Sequence, residues 1–386
     1  MNKLCQGCGS PLEFDIKNQM MKCEFCGELW TISECDAASV EYEESATEND
    51  DSMECSIYNC SSCGAEIVIN RNEASTFCIY CGNPTIVFSR IERTKRPDLI
   101  VPFKVTKEEA TGKLRKYITK GKWVPRSFKK IPTDNITGIY VPYYITDISI
   151  SNNMLLKSTT AHSEYADEIT YFVRSAHCDF SKMTTDASKE LDDNISIHLD
   201  PYRIDTAVPF NENYLAGFYS DIADINRVEA FSDAKSRAYR IFKHEALMSI
   251  RGSNRQIVSD KPRYTLNGES QYALLPVWFL TLQHRKRPYT ILVNGQTGKI
   301  VGGIPFNWFK FIALFLMLTI LLSFPIGLLM VLMEKIDYRI VVMILLFALF
   351  ILRPIGMHRT RKFIAAVKRT SSSGLERFAN KRRKDE

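Results

Sequence analysis

Hydrophobic and polar positions follow different periods along the chain, and each period predicts a different kind of element. From Phe309 to Met333 the sequence is almost continuously apolar, broken only by Lys310 near its start. As a helix this run is long enough to cross a hydrocarbon core about 30 Å thick. Pro325 and Gly327 predict a kink inside it, which a membrane helix tolerates. A second apolar run, Ile340 to Leu352, is shorter, and it reaches across if Arg339 and Arg353 snorkel to the two interfaces. Together the runs predict a transmembrane helical hairpin over residues 306–357.

Residues 92–305 alternate between helical and strand-like periods and predict an α+β domain. Thr106-Lys-Glu-Glu109 is a capping box that starts a helix to Lys120, with Gly121 placed to close it. Over 227–251, Val228, Phe231, Ala234, Ala238, Ile241 and Phe242 recur at helical spacing. Tyr289 to Val293 and Gln296 to Ile304 flank Asn294-Gly295 and predict a hairpin with a type I′ turn, and Asn267-Gly268 offers a second hairpin. Two phrases echo each other. Val101-Pro102-Phe103, a helix and Gly138-Ile-Tyr-Val-Pro-Tyr-Tyr144 are matched by Val208-Pro209-Phe210, a helix and Leu274-Leu-Pro-Val-Trp-Phe279. The echo fits two related halves, and it fits equally two unrelated sets of β-edge prolines.

A net charge of +6 over 386 residues conceals segregation. Residues 31–57 hold nine acidic side chains and no lysine or arginine, which predicts a solvated linker too self-repelling to pack. Residues 358–386 form a basic tail, which the positive-inside rule places in the cytoplasm. With a hairpin before it, both termini and the main domains are expected on the cytoplasmic side of the cell membrane, and the tail against anionic lipid. Lys113, Arg115, Lys116, Lys120, Lys122, Arg126, Lys129 and Lys130 are interleaved with Tyr117, Trp123 and Phe128, with no acid among them. That pattern reads first as a plain solvated face; as a binding surface it suits lipid head groups, and less well nucleic acid.

The cysteines carry the sharpest chemistry. Cys5-x2-Cys8 with Cys23-x2-Cys26, and Cys60-x2-Cys63 with Cys78-x2-Cys81, repeat one pattern in which Gly9, Gly27, Gly64 and Gly82 directly follow the pairs. Four thiolates satisfy tetrahedral Zn²⁺, and so small a ribbon has too little apolar surface to fold without metal. Two closed, structural zinc ions are expected, in ribbons over 1–30 and 58–91, and S4 geometry also admits iron. The start of the chain does not read as a cleavable signal, which argues against pairing these cysteines as disulfides. Cys35, Cys55 and Cys178 fall outside the spacing and read as free thiols.

Catalysis finds little footing. His162, His177, His198, His244, His284 and His358 are scattered, and neither a phosphate-loop motif nor H-E-x-x-H or G-x-S-x-G occurs. No catalytic residue and no enzyme activity are expected.

The double ribbon, Ile100-Val-Pro-Phe-Lys-Val-Thr-Lys-Glu-Glu109, Lys122-Trp-Val-Pro125, Tyr140-Val-Pro142 and Val293-Asn-Gly-Gln-Thr-Gly-Lys-Ile-Val301 resemble the bacterial membrane-anchored TFIIB-type zinc-ribbon proteins. The resemblance covers most of the chain. It implies a membrane platform for cytoplasmic proteins, of the kind some relatives provide in envelope stress of the phage-shock type, able to assemble as a hetero- or homo-oligomer. The weaker rival is a membrane-tethered nucleic-acid-binding protein.

Overall fold

The computed structural model describes residues 3–40, 52–62, 64–69, 78, 86–121, 123–130, 132–133, 135–163, 166–188, 193–284 and 287–332. In chain order the elements are β1 (Leu12–Asp15), β2 (Met20–Cys23), β3 (Leu29–Trp30), α1 (Ile32–Val40), β4 (Ser52–Cys60), β5 (Glu66–Ile69), β6 (Ile86–Lys95) and β7 (Leu99–Ile100). They continue with α2 (Lys107–Lys120), α3 (Arg126–Lys129), β8 (Thr137–Ser163), β9 (Ala166–Asp186), α4 (Asp193–Leu199), β10 (Val208–Pro209), β11 (Tyr219–Ser220) and α5 (Arg227–Met248). The last are β12 (Ser253–Asp260), β13 (Arg263–Leu266), β14 (Gln271–His284), β15 (Arg287–Asn294), β16 (Ile300–Gly302) and α6 (Trp308–Leu332).

Strand β8 organises the molecule. Its 27 residues reach about 90 Å at roughly 3.3 Å each. One edge pairs in turn with β14, β13 and β12, and the other with β11 and β9. Near its start β8 is apolar on both faces. Tyr140 and Tyr144 enter one core with Phe103, Phe218 and Trp278, while Ile139, Val141, Tyr143 and Ile145 enter a second with Leu275 and Val277. A strand covered on both sides reads as a continuous apolar run, as this one does. Farther along, Ile148, Ile150, Met154 and Leu156 bury one face against Ala234, Ala238 and Phe242 of α5. The helix expected over 227–251 therefore presents its alanines to the sheet, and Val228 and Ile241 face outward.

The echoing phrases meet across the sheet. Val141 stands opposite Leu275 in the β8–β14 ladder, and Ile100 opposite Val208 in the β7–β10 pair. Thr106 and Glu109 form the reciprocal capping box expected at the start of α2.

Three expectations need correction. The acidic segment 31–57 packs at both ends. Thr31 and Glu34 make a second capping box, with Glu34 N donating to Thr31 Oγ1 at 3.3 Å and Thr31 N to Glu34 Oε2 at 2.7 Å. This starts α1, whose Cys35 is buried in the core and whose Asp36 accepts hydrogen bonds from the side chains of Asn211 (2.6 Å) and Asn213 (2.8 Å). At the other end β4 buries Cys55 and Ile57 and pairs with the basic strand β6, where Arg93 meets Glu54 at 3.1 Å. The acids are offset there by cations that lie beyond the segment. Residues 41–51 lie outside the described residues.

Both Asn-Gly turns also differ. At Asn294-Gly295 the loop is longer than a type I′ turn: Asn294 N donates to Lys299 O (2.9 Å), Gly298 N donates to Asn294 O (2.8 Å), and Gly298 is the residue with positive φ, +74°. Gly295 is needed for space instead, since a Cβ there would approach Phe103 Cδ1 to 2.6 Å. Asn267-Gly268 joins two strands that follow each other along β8 rather than a hairpin, because β8 templates both β13 and β14.

Helix α6 begins at Trp308, one residue ahead of the expected apolar run, and its side chains are described as far as Leu321. Among the described residues no helix is long and apolar enough to cross a membrane. The second run, Ile340 to Leu352, and the basic tail lie outside the described residues.

Candidate metal centre

The first cysteine set is assembled by two local turns. In each, a cysteine N–H donates to the carbonyl five residues on and the glycine N–H four residues on donates back. Cys5 N reaches Ser10 O (2.8 Å) and Gly9 N reaches Cys5 O (2.8 Å); Cys23 N reaches Glu28 O (2.9 Å) and Gly27 N reaches Cys23 O (2.9 Å). The turn closes only with the glycine at positive φ, +74° for Gly9 and +78° for Gly27. A Cβ at either glycine would meet nothing within 4 Å, so backbone conformation and not space requires them. The β1–β2 hairpin brings the turns together, Leu12 opposite Cys23.

The four sulfurs of Cys5, Cys8, Cys23 and Cys26 all lie within 4.8 Å of one another. Cys5 and Cys26 are 3.6 Å apart and Cys8 and Cys23 3.4 Å. These separations exceed a disulfide's S–S length of about 2 Å. They fall just short of the edge of about 3.8 Å expected when four sulfurs surround one ion at about 2.3 Å, and the 4.8 Å limit on the remaining pairs lies above it. Cys26 N donates to Cys23 Sγ at 3.5 Å, as ligand thiolates require. That N–H holds the Cys23 thiol below its usual range. For Cys26 the Glu28 N–H also pulls downward, but the crowded sulfurs of Cys23, Cys5 and Cys8, with burial, outweigh it and push the thiol up to about 12. Four thiolates this close need a cation between them. Two ligands, Cys5 and Cys23, are buried and two, Cys8 and Cys26, exposed, and the cluster can hold a metal ion.

The second set is described in part. Cys60 N donates to Ala65 O (3.0 Å), Gly64 N to Cys60 O (2.8 Å), and Gly64 has φ +78°, so this turn reproduces the first two. Cys60 and Cys78 are buried in one core cluster. Cys63 and Cys81 lie outside the described residues.

Neither set hangs free. Phe14 of the first packs on Tyr214, ring centroids 5.1 Å apart, and its N–H donates to Ala216 O at 3.1 Å. Strand β5 of the second pairs with Tyr219 and Ser220 of β11. One short segment, 214–220, thus touches both.

Away from the cysteines, Ser151 Oγ lies 2.7 Å from His177 Nδ1, and His177 Nε2 lies 3.2 Å from Asp179. The set arises from ladder geometry, Ser151 opposite His177 and Ser149 opposite Asp179. Ser149 donates to Asp179 and holds its carboxyl low. His177 and Asp179 are 58% and 61% exposed, so water screens the pair and does not leave the imidazole the enclosed environment a general base uses. No local motif signals this grouping, because it depends on strand register alone.

No protein-family model matches the chain, and no solved structure matches it. Among curated proteins, it is similar to the uncharacterized protein YdjG of Bacillus subtilis (strain 168), 29% identical over 323 residues that cover 80% of this chain and 93% of that one.

Proposed function

We propose that the protein is a membrane-anchored zinc scaffold that recruits cytoplasmic proteins to the cell membrane, in envelope stress or membrane maintenance, and that it has no catalytic role. The observation that carries the anchoring is α6. From Phe309 to Leu321 it exposes apolar side chains all round, among them Phe309 (82%), Leu316 (54%), Met317 (56%) and Ile320 (66%). A helix apolar on every side belongs in lipid or inside protein. Continued to Leu332 and followed by the 340–352 run, it makes a hairpin with both termini cytoplasmic. Zinc is the ion of choice for the Cys5, Cys8, Cys23, Cys26 set, and a second zinc belongs with Cys60, Cys63, Cys78 and Cys81. Both are structural, since four protein sulfurs leave no open coordination position. Recruitment of partners follows from the resemblance to membrane-anchored zinc-ribbon platforms.

The experiment is fractionation followed by affinity capture. The full chain is expected in the alkali-resistant membrane pellet, and capture from detergent-solubilised membranes should bring down a defined set of cytoplasmic proteins. Recovery of the chain in the soluble fraction, or capture of nucleic acid in place of protein, would refute the reading.

A further inference from the structure

Helices α2 and α3, with Pro132 and Thr133, line an open cavity of about 360 Å³ that Arg115, Thr119, Lys129 and Lys130 also face. No acidic residue lines it among the described residues. The cavity is partly built already. Lys129 Nζ donates to Thr119 O at 2.6 Å, which holds the ammonium in place. Thr133 is 3% exposed, yet its hydroxyl has no hydrogen-bond partner among the described residues. A buried hydroxyl left without a partner is costly, and it marks a place where a ligand atom completes the bonding. Two ammonium groups, a guanidinium and a hydroxyl donor are what the oxygens of a phosphate group ask for.

The position of the cavity selects the source of that phosphate. The connection between α2 and α3 grips the first turn of α6. Asn307 N donates to Trp123 O at 2.8 Å, and the Trp123 ring lies 6.0 Å from Phe306 and 5.4 Å from Phe311. Tyr117 of α2 donates to Gly302 O at 3.3 Å, just ahead of the helix. Aromatic rings around the foot of an apolar helix mark headgroup depth in a membrane protein. We propose that this cavity binds the phosphate of an anionic lipid headgroup. The assignment of the phosphate to a lipid rests on the membrane reading of α6; the affinity for phosphate does not.

The test uses the full chain in neutral detergent. Its thermal transition is followed while the micelles are doped with phosphatidylglycerol, with phosphatidylcholine, or while soluble glycerol phosphate is added. Stabilisation by phosphatidylglycerol alone is expected. Thr133→Val keeps shape and removes only the hydroxyl, and it should weaken the apparent affinity about tenfold, the loss typical of one hydrogen bond to a charged group. Lys129→Gln with Lys130→Gln should abolish the response. Equal stabilisation by glycerol phosphate, lost in the same variants, would support the site with a free phosphate as its ligand. An unchanged response to phosphatidylglycerol in all variants, or no response in the wild type, would overturn the proposal. So would steeply salt-dependent binding of an oligonucleotide that displaces the lipid. If the chain fractionates as soluble while the variants still abolish the glycerol phosphate response, the membrane reading fails and the phosphate site stands.

Discussion

A thiolate persists in a protein only where something positive or hydrogen-bonding faces it, and the described cysteines divide by that rule. Cys5, Cys8, Cys23 and Cys26 face one another and the N–H groups of their turns, whereas Cys35 is buried in apolar core and Cys55 is buried with a single neutral hydroxyl, Thr94 Oγ1 at 3.4 Å, beside it. Burial pushes both of those thiols up, so they stay protonated and inert at neutral pH. Iodoacetamide is expected to leave Cys35 and Cys55 unmodified in the native chain and to alkylate both after denaturation, read by peptide mass mapping. Removing an exposed ligand tests the other group: Cys8→Ser should lower the bound metal by one equivalent per chain in elemental analysis, while Cys178→Ser should leave it unchanged. The clustering of these four cysteines was legible in the sequence because each turn is local, closed within six residues and dependent on one glycine at positive φ. The burial of Cys35 was not legible, because it comes from contacts with distant segments.

At the scale of elements, legibility again follows locality, with one exception of interpretation. The capping box at Thr106 was readable and is present, and the same signature at Thr31-Ile-Ser-Glu34 was masked by the acidic run around it. Thr31 donates to the Glu34 carboxylate through both its hydroxyl and its N–H, and these bonds hold that carboxyl below the ordinary range. A carboxyl depressed in the folded state stabilises above its unfolded pKa, about 4.3, and that contribution is lost as pH falls through the lower folded value. Hydrogen-exchange protection at the start of α1 should therefore decline on acidification, and Thr31→Ala, which removes the hydroxyl and keeps the N–H donor, should weaken that pH dependence. Helix α5 tests packing. Ala238 is fully buried against β8 and β9, so Ala238→Leu should cost about 1–3 kcal/mol by overpacking, seen as a lower urea midpoint with an unchanged slope. The Asn-Gly turns were misread for a tertiary reason. Phe103 against Gly295 and the continuous edge of β8 beside Asn267 decide those loops, and neither is near in sequence.

Over the whole molecule, the feature beyond the reach of pattern reading is the joining of the two cysteine sets to one body. Composition suggested ribbons separated by a linker too self-repelling to pack, which would leave them without a shared core. The structure instead runs 214–220 between them: Ala216 O accepts from Phe14 N, and Tyr219 and Ser220 pair with Ile69 and Val68. The first set also shares a core with Phe103, Tyr140 and Phe218. Phe218 stacks on Phe103 at 4.5 Å, 15° from parallel, so any loosening of the segment reaches the centre of that core. Loss of metal from the first set removes the cross-link that holds the β1–β2 hairpin and hence the placement of Phe14. Cys8→Ser should accordingly raise amide exchange at 214–220 and in β5, although no mutated atom lies in either, and should leave the far end of the β8–β9 hairpin unchanged. Exchange confined to residues 3–30 would show that the sets are energetically separate despite their contacts, as the linker reading expected.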